Sequence, residues 1–133
     1  PFLPHNYPQQ CVAFTGTHDN DTAIGWYQTA PETERDFIRR YVGRSGTDIS
    51  WDMIRAVWSS VAVFALAPLQ DVLSLGPEAR MNLPGRPYGN WGWRLNPNRL
   101  NESISKRLYE MNYLYGRVDL DLPKPEIKLE YQS

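Results

Sequence analysis

The chain has 133 residues, one domain's worth of sequence or less. Hydrophobic residues make up 41% and charged residues 22%, a balance that points to a folded chain rather than a disordered one. Lys and Arg number 14 against 15 Asp and Glu, a net charge of -1, which argues against a general nucleic-acid binder and against a polybasic membrane anchor.

The opening, Pro1-Phe2-Leu3-Pro4-His5-Asn6-Tyr7-Pro8, has neither the basic segment nor the apolar core of a signal peptide. It lacks an initiator Met, so the chain is expected to be processed or cut from something longer. No apolar run approaches the ~20 residues that cross a bilayer, and no membrane partner is expected. Cys11 is the only cysteine. One thiol cannot close an internal disulfide, so a disulfide-stapled secreted domain is excluded and a reducing cytoplasm is the simplest location. Cys11 to Thr15 is a short apolar run that suits a buried strand, with Cys11 as inert core. Gly16-Thr17-His18-Asp19-Asn20-Asp21-Thr22 follows where that strand ends and a loop begins.

Pro31-Glu32-Thr33-Glu34 opens a helix with acids in its first turn. Phe37, Ile38, Tyr41 and Val42 form its apolar stripe, and Gly43 stops it. Ser50 is expected to cap a second helix in which Ile54, Val57, Trp58 and Val61 recur at helical spacing. The apolar run from Val61 onward implies a second buried strand around Phe64 to Leu69. Asp71 to Gly76 reads as a short helical turn. Residues 78 to 97 form a loop dense in Gly, Pro, Asn and Trp, and loops of that length are usually functional. Asn101 caps a last helix with Ile104, Leu108, Met111, Leu114 and Tyr115 on one side, ended by Gly116. Residues 117 to 133, with Pro123 and Pro125, read as an extended tail over the surface. Two buried strands joined through helices imply parallel pairing, a right-handed crossover and cover on both faces. Two strands and a few helices cannot supply that cover alone, so the chain looks like part of an α/β domain whose remaining strands lie elsewhere.

Three stretches could carry chemistry. His18-Asp19-Asn20-Asp21 lies at the carboxyl end of a strand, where functional groups of parallel α/β folds gather. Its side chains could stabilise a cation-like transition state, ligate a metal, or shape a turn. Arg80 and Asn82 offer donors suited to hydroxyls or carboxylates, although an Arg paired to an internal acid could simply hold the loop. In Gly89-Asn90-Trp91-Gly92-Trp93-Arg94, extended backbone would point both indoles to one side as a platform for a sugar ring. The alternative is a Trp pair filling the base of the loop.

Taken in order, Pro4-His5-Asn6-Tyr7, Thr15 to Thr22 with Gly25-Trp26-Tyr27, Pro68 to Leu73, Glu78-Ala79-Arg80-Met81-Asn82 with Pro84-Gly85, and Gly89-Asn90-Trp91 with Trp93-Arg94 resemble the amylomaltases. These are 4-alpha-glucanotransferases, or disproportionating enzymes, of glycoside hydrolase family 77. The resemblance runs to about residue 115.

The resemblance implies a (β/α)8 barrel, a fold of about 250 residues. Residues 1–116 would be the C-terminal portion of that barrel, strands seven and eight with their helices, and 117–133 a tail. It implies transfer of α-1,4-glucan segments between malto-oligosaccharides or starch-derived glucans with retention of configuration. Asp19 matches the family's third carboxylate and would stabilise the transition state. His18, Asn82 and Trp91 would contact the sugar. The family's nucleophilic Asp and acid/base Glu lie upstream of these motifs, so the missing N-terminal part of the same barrel is the implied partner and the isolated chain is expected to be inactive. No metal and no organic cofactor is implied. Two other readings stay open: a non-catalytic carbohydrate-binding module using Trp91 and Trp93, and a metal-dependent hydrolase using His18, Asp19 and Asp21.

Overall fold

A computed structural model describes residues 3 to 119. Residues 120 to 133, most of the expected tail, lie outside the described residues.

After a short 3-10 turn at Pro4–Asn6, β1 spans Val12–Phe14. The helix α1, Ala23–Thr29, follows, then α2, Glu32–Val42, and α3, Ile49–Trp58. β2 is Phe64–Leu66 and α4 is Leu69–Val72. Single 3-10 turns at Pro77–Ala79 and Pro97–Arg99 bracket the long loop, and α5 is Glu102–Leu114. β1 and β2 pair in parallel, with Val12, Ala13 and Phe14 opposite Phe64, Ala65 and Leu66. The parallel pairing expected from the sequence is therefore present.

α3 is the centre of the core. Trp51, Ile54, Val57 and Trp58 recur on one side of it and all are buried, Ile54 completely. Full burial of one such side chain contributes roughly 1.5–3 kcal/mol. Ala13 of β1, Val72 of α4 and Met111 of α5 close the cluster around it. Polar bonds then fix the neighbours. The indole Nε1 of Trp58 donates to Asn112 Oδ1 at 2.7 Å. The Arg107 guanidinium lies over the Trp51 ring, 4.2 Å from its centre. Arg117 donates to the carbonyls of Trp58 and Ser60 at 2.9 and 3.0 Å, satisfying main-chain acceptors just where α3 ends.

Several local expectations need correction. Ser50 does not cap α3: Asp48 holds the cap position, and Ser50 is buried inside the helix with its hydroxyl on the Asp71 carbonyl at 2.8 Å. The strands are not buried in this chain. Only Ala13 is buried and Ala65 partly so, while Val12, Phe14, Phe64 and Leu66 are about half exposed or more, because β1 and β2 have only each other as sheet partners among the described residues. The second strand is shorter than expected, since Pro68 already caps α4. Leu114 faces solvent rather than the core, and Phe37 on α2 does the same. α1 was not expected at all. Thr22 caps it, its hydroxyl accepting from the Gly25 amide at 3.1 Å. Gly43 in left-handed geometry ends α2, and Asn101 caps α5 by accepting from the Ile104 amide at 3.0 Å, both as expected.

Candidate functional site

The loop that leaves β1 is held from within and from below. Asn20 Oδ1 accepts from the Thr17 amide at 2.8 Å and from its hydroxyl at 3.0 Å, a tight turn of the kind Asx residues favour. The turn reading therefore holds for Asn20, and this turn sets the neighbouring His18 and Asp19 outward. Both are about half exposed, with His18 Nε2 3.4 Å from Asp19 Oδ2. Beneath them Asp71 is buried and bonded to both ends of the loop: Oδ2 accepts from the Thr15 hydroxyl at 2.6 Å and Oδ1 from the Ala23 amide at 2.8 Å. Asp21 turns the other way, toward the start of α1. Its carboxylate lies against Gly25, where any Cβ would collide with it.

The long loop after α4 meets this one. Asn82 Nδ2 donates to Asp19 Oδ1 at 2.7 Å, and the Asn82 amide donates to the His18 carbonyl at 3.1 Å. Arg80 donates from Nη2 to the Asp19 carbonyl and from Nε to the Asn82 carbonyl, each at 2.8 Å. The Trp91 amide donates to the Met81 carbonyl at 2.6 Å. The Trp91 ring then tilts over His18, with centroids 5.0 Å apart and planes at 37°. His18 and Asp19 from one loop and Asn82 and Trp91 from another, with 63 positions between Asp19 and Asn82, thus form one cluster at the carboxyl end of β1. A cavity of about 130 Å³ opens beside it, lined by His18, Asp21, Gln70 and Arg80 among others.

Two expectations about the loops change. Trp91 has φ +60°, so the stretch is not extended and alternation cannot align its indole with that of Trp93. The extended geometry on which the double platform rests is therefore not the geometry of this stretch. Asn90 and Arg94 are occupied by the loop itself: Asn90 bonds the Leu83 amide and the Arg86 carbonyl, and Arg94 the carbonyls of Trp91 and Trp93. Arg80 holds the loop as the sequence allowed, but through main-chain carbonyls. Among the described residues it makes no ion pair, so no internal acid is its partner. Among the described residues no group of three or more His, Cys, Asp or Glu side chains is arranged to hold a metal ion. No described helix is long and apolar enough to cross a membrane.

The family model described as 4-alpha-glucanotransferase matches residues 1–101. The chain belongs to the 4-alpha-glucanotransferase family. It is 49% identical over 119 residues to the 4-alpha-glucanotransferase of Synechocystis, covering 88% of this chain and 24% of that protein. The Thermus thermophilus 4-alpha-glucanotransferase is 50% identical over 119 residues, covering 84% of this chain and 24% of its own length. Among solved structures, the amylomaltase of Streptococcus agalactiae in complex with acarbose superposes with a TM-score of 0.83 at 30% identity, covering 87% of this chain and 24% of that one. The chain thus spans about a quarter of the length of the 4-alpha-glucanotransferases it matches.

Proposed function

We propose that the chain supplies the last strands of a (β/α)8 barrel, β1 and β2 being strands seven and eight, in a 4-alpha-glucanotransferase that moves α-1,4-glucan segments between malto-oligosaccharides. The observation that carries this reading is the half-exposed Asp19 carboxylate, gripped by Asn82 at 2.7 Å at the carboxyl end of a parallel strand. Active sites of such barrels sit at that end of the strands. We assign residues 1–116 to the barrel and 117–133 to a tail.

Retaining transfer requires two carboxyl groups flanking the glycosidic bond, one as nucleophile and one as acid/base. In this proposal both come from the remainder of the barrel, outside this chain, so the isolated chain has no transferase activity. Asp19 has a different task. The sugar ring flattens and gains positive charge at the reacting carbon as the bond breaks. A carboxylate that accepts hydrogen bonds from neighbouring ring hydroxyls binds that state more tightly than the ground state, and this difference is rate. Imidazole can donate and accept, so His18 serves the same ring. Asn82 retains donor and acceptor capacity beyond its bond to Asp19, and the exposed Trp91 face gives an apolar wall for the sugar. The partner is then a malto-oligosaccharide or starch-derived glucan, and the enzyme works in a reducing compartment, the cytoplasm.

The test is Asp19→Asn in the complete transferase. Turnover of maltotriose is expected to fall by several orders of magnitude with the fold retained. Near-normal turnover would remove Asp19 from the mechanism. A crystal of the complete protein soaked with acarbose is expected to place a ring against Asp19; a ring bound elsewhere would overturn the site.

A further inference from the structure

We propose that Arg80 is a positioning residue for the Asp19 carboxylate, acting through the main chain on both sides of the contact that aims it. The proposal rests on the transferase reading above. Asp19 stands on a loop without regular structure, so its helix or strand neighbours do not aim it. The Thr17–Asn20 turn sets it outward, and its carboxylate is gripped by Asn82, which in turn must be held at a fixed spacing from residue 19. Arg80 sets that spacing. One nitrogen of its guanidinium bonds the Asp19 carbonyl and another bonds the Asn82 carbonyl, each at 2.8 Å. The guanidinium is planar and its donors are rigidly arranged, so the two carbonyls cannot drift independently. The Asn82 amide adds a third tie, to the His18 carbonyl at 3.1 Å. The arginine makes no ion pair among the described residues, and its polar contacts go to these two carbonyls. Loss of the clamp therefore loosens the spacing between Asn82 and the carboxylate, with the Asn82–His18 main-chain bond still in place.

The consequence is kinetic. A misplacement of about 1 Å at a reacting group can cost ~100-fold in rate. In the complete transferase, Arg80→Met is expected to lower kcat by roughly that factor while KM for maltotriose changes little, since the interaction lost is made in the transition state. Arg80→Lys keeps the charge but presents a single flexible ammonium, and is expected to recover only part of the rate. The decisive measurement is a double-mutant cycle with Asp19→Asn. If Arg80 works through Asp19, Arg80→Met costs little further rate once the carboxylate is gone. An equal loss in both backgrounds would overturn the proposal, because the arginine would then support the loop generally. Full activity of Arg80→Met would overturn it too, as would unfolding of both Arg80 variants by circular dichroism. Failure of the transferase reading looks different: Asp19→Asn alone would leave turnover unchanged.

Discussion

The hydroxyl of Thr15 donates to Oδ2 of Asp71 at 2.6 Å, tying the carboxyl end of β1 to α4. The other carboxylate oxygen takes the Ala23 amide, so one buried side chain holds both feet of the loop that carries His18 and Asp19. Asn in place of Asp71 keeps the shape but offers one acceptor oxygen for two donors. Leaving a buried donor unsatisfied costs about 1–3 kcal/mol. Asp71→Asn is therefore expected to lower stability by that amount in urea unfolding, and to lower turnover because the loop is no longer pinned. Unchanged unfolding midpoints would show that the two donors find other partners.

Trp91 invites a comparison of two substitutions. Its φ of +60° is left-handed, a geometry that costs a residue with a Cβ roughly 1–2 kcal/mol. Glycine adopts it freely. Trp91→Gly is thus expected to be more stable than Trp91→Ala by about 1 kcal/mol in thermal denaturation. Both remove the ring that lies over His18, so both are expected to weaken acarbose binding by calorimetry in the complete protein. Equal stabilities would mean that the backbone relaxes once the indole is gone.

What could be read from the sequence follows the range of each interaction. Gly43 and Asn101 act on residues a few positions away, and both helix ends were legible. Ser50 reads as a cap in the sequence because its real partner, the Asp71 carbonyl, belongs to a distant turn. α1 gives little signal because it has only seven residues, with Gly25 interrupting the apolar pattern. His18 and Asp19 stood out since a polar cluster directly follows an apolar run. Arg80 and Asn82 are visible as donors, but which acceptors they meet is not: the Asp19 carboxylate lies on a distant loop, and the Arg80 clamp takes main-chain carbonyls that every residue carries. The extended backbone expected around Trp91 fails at two angles, the positive φ values of Gly89 and Trp91, which follow from the way the long loop folds back on itself.

Two carboxylates far from the site set opposite pH trends. A hydrogen bond from Arg39 holds Glu32 below its usual 4.5, so its contribution is complete above that value and lost as pH falls through the lowered one. Burial, together with Asp48, pushes Asp52 above its usual 3.8 against the pull of Arg44, Arg55 and Arg107. Its ionised form therefore costs stability at neutral pH, and that cost fades as pH falls through the raised value and is gone below 3.8. Asp52→Asn is expected to raise the melting temperature at neutral pH and to lose that gain in acid. Glu32→Gln is expected to do the reverse, by a small amount because the pair is exposed. Melting curves across the carboxylate range decide both; an Asp52→Asn advantage that persists below 3.8 would point to packing rather than charge.

The apolar strand faces carry the last expectation. Val12, Phe14, Phe64 and Leu66 are 46% to 62% exposed, in a sheet of two strands among the described residues. Parallel strands are stable when both faces are covered, and unpaired edges recruit other chains. In the proposed barrel these residues have neighbours; in this chain alone they meet solvent. The isolated chain is therefore expected to associate with rising concentration, visible in light scattering. Phe64→Lys places a charge on the open strand, and is expected to reduce that association. In the complete protein the same lysine would be buried without a partner, so it is expected to lower stability severely. The two outcomes must move in opposite directions. A monomeric isolated chain, with Phe64→Lys harmless in the complete protein, would mean that this face has no other strand to meet, and the barrel assignment of β1 and β2 would fall with it.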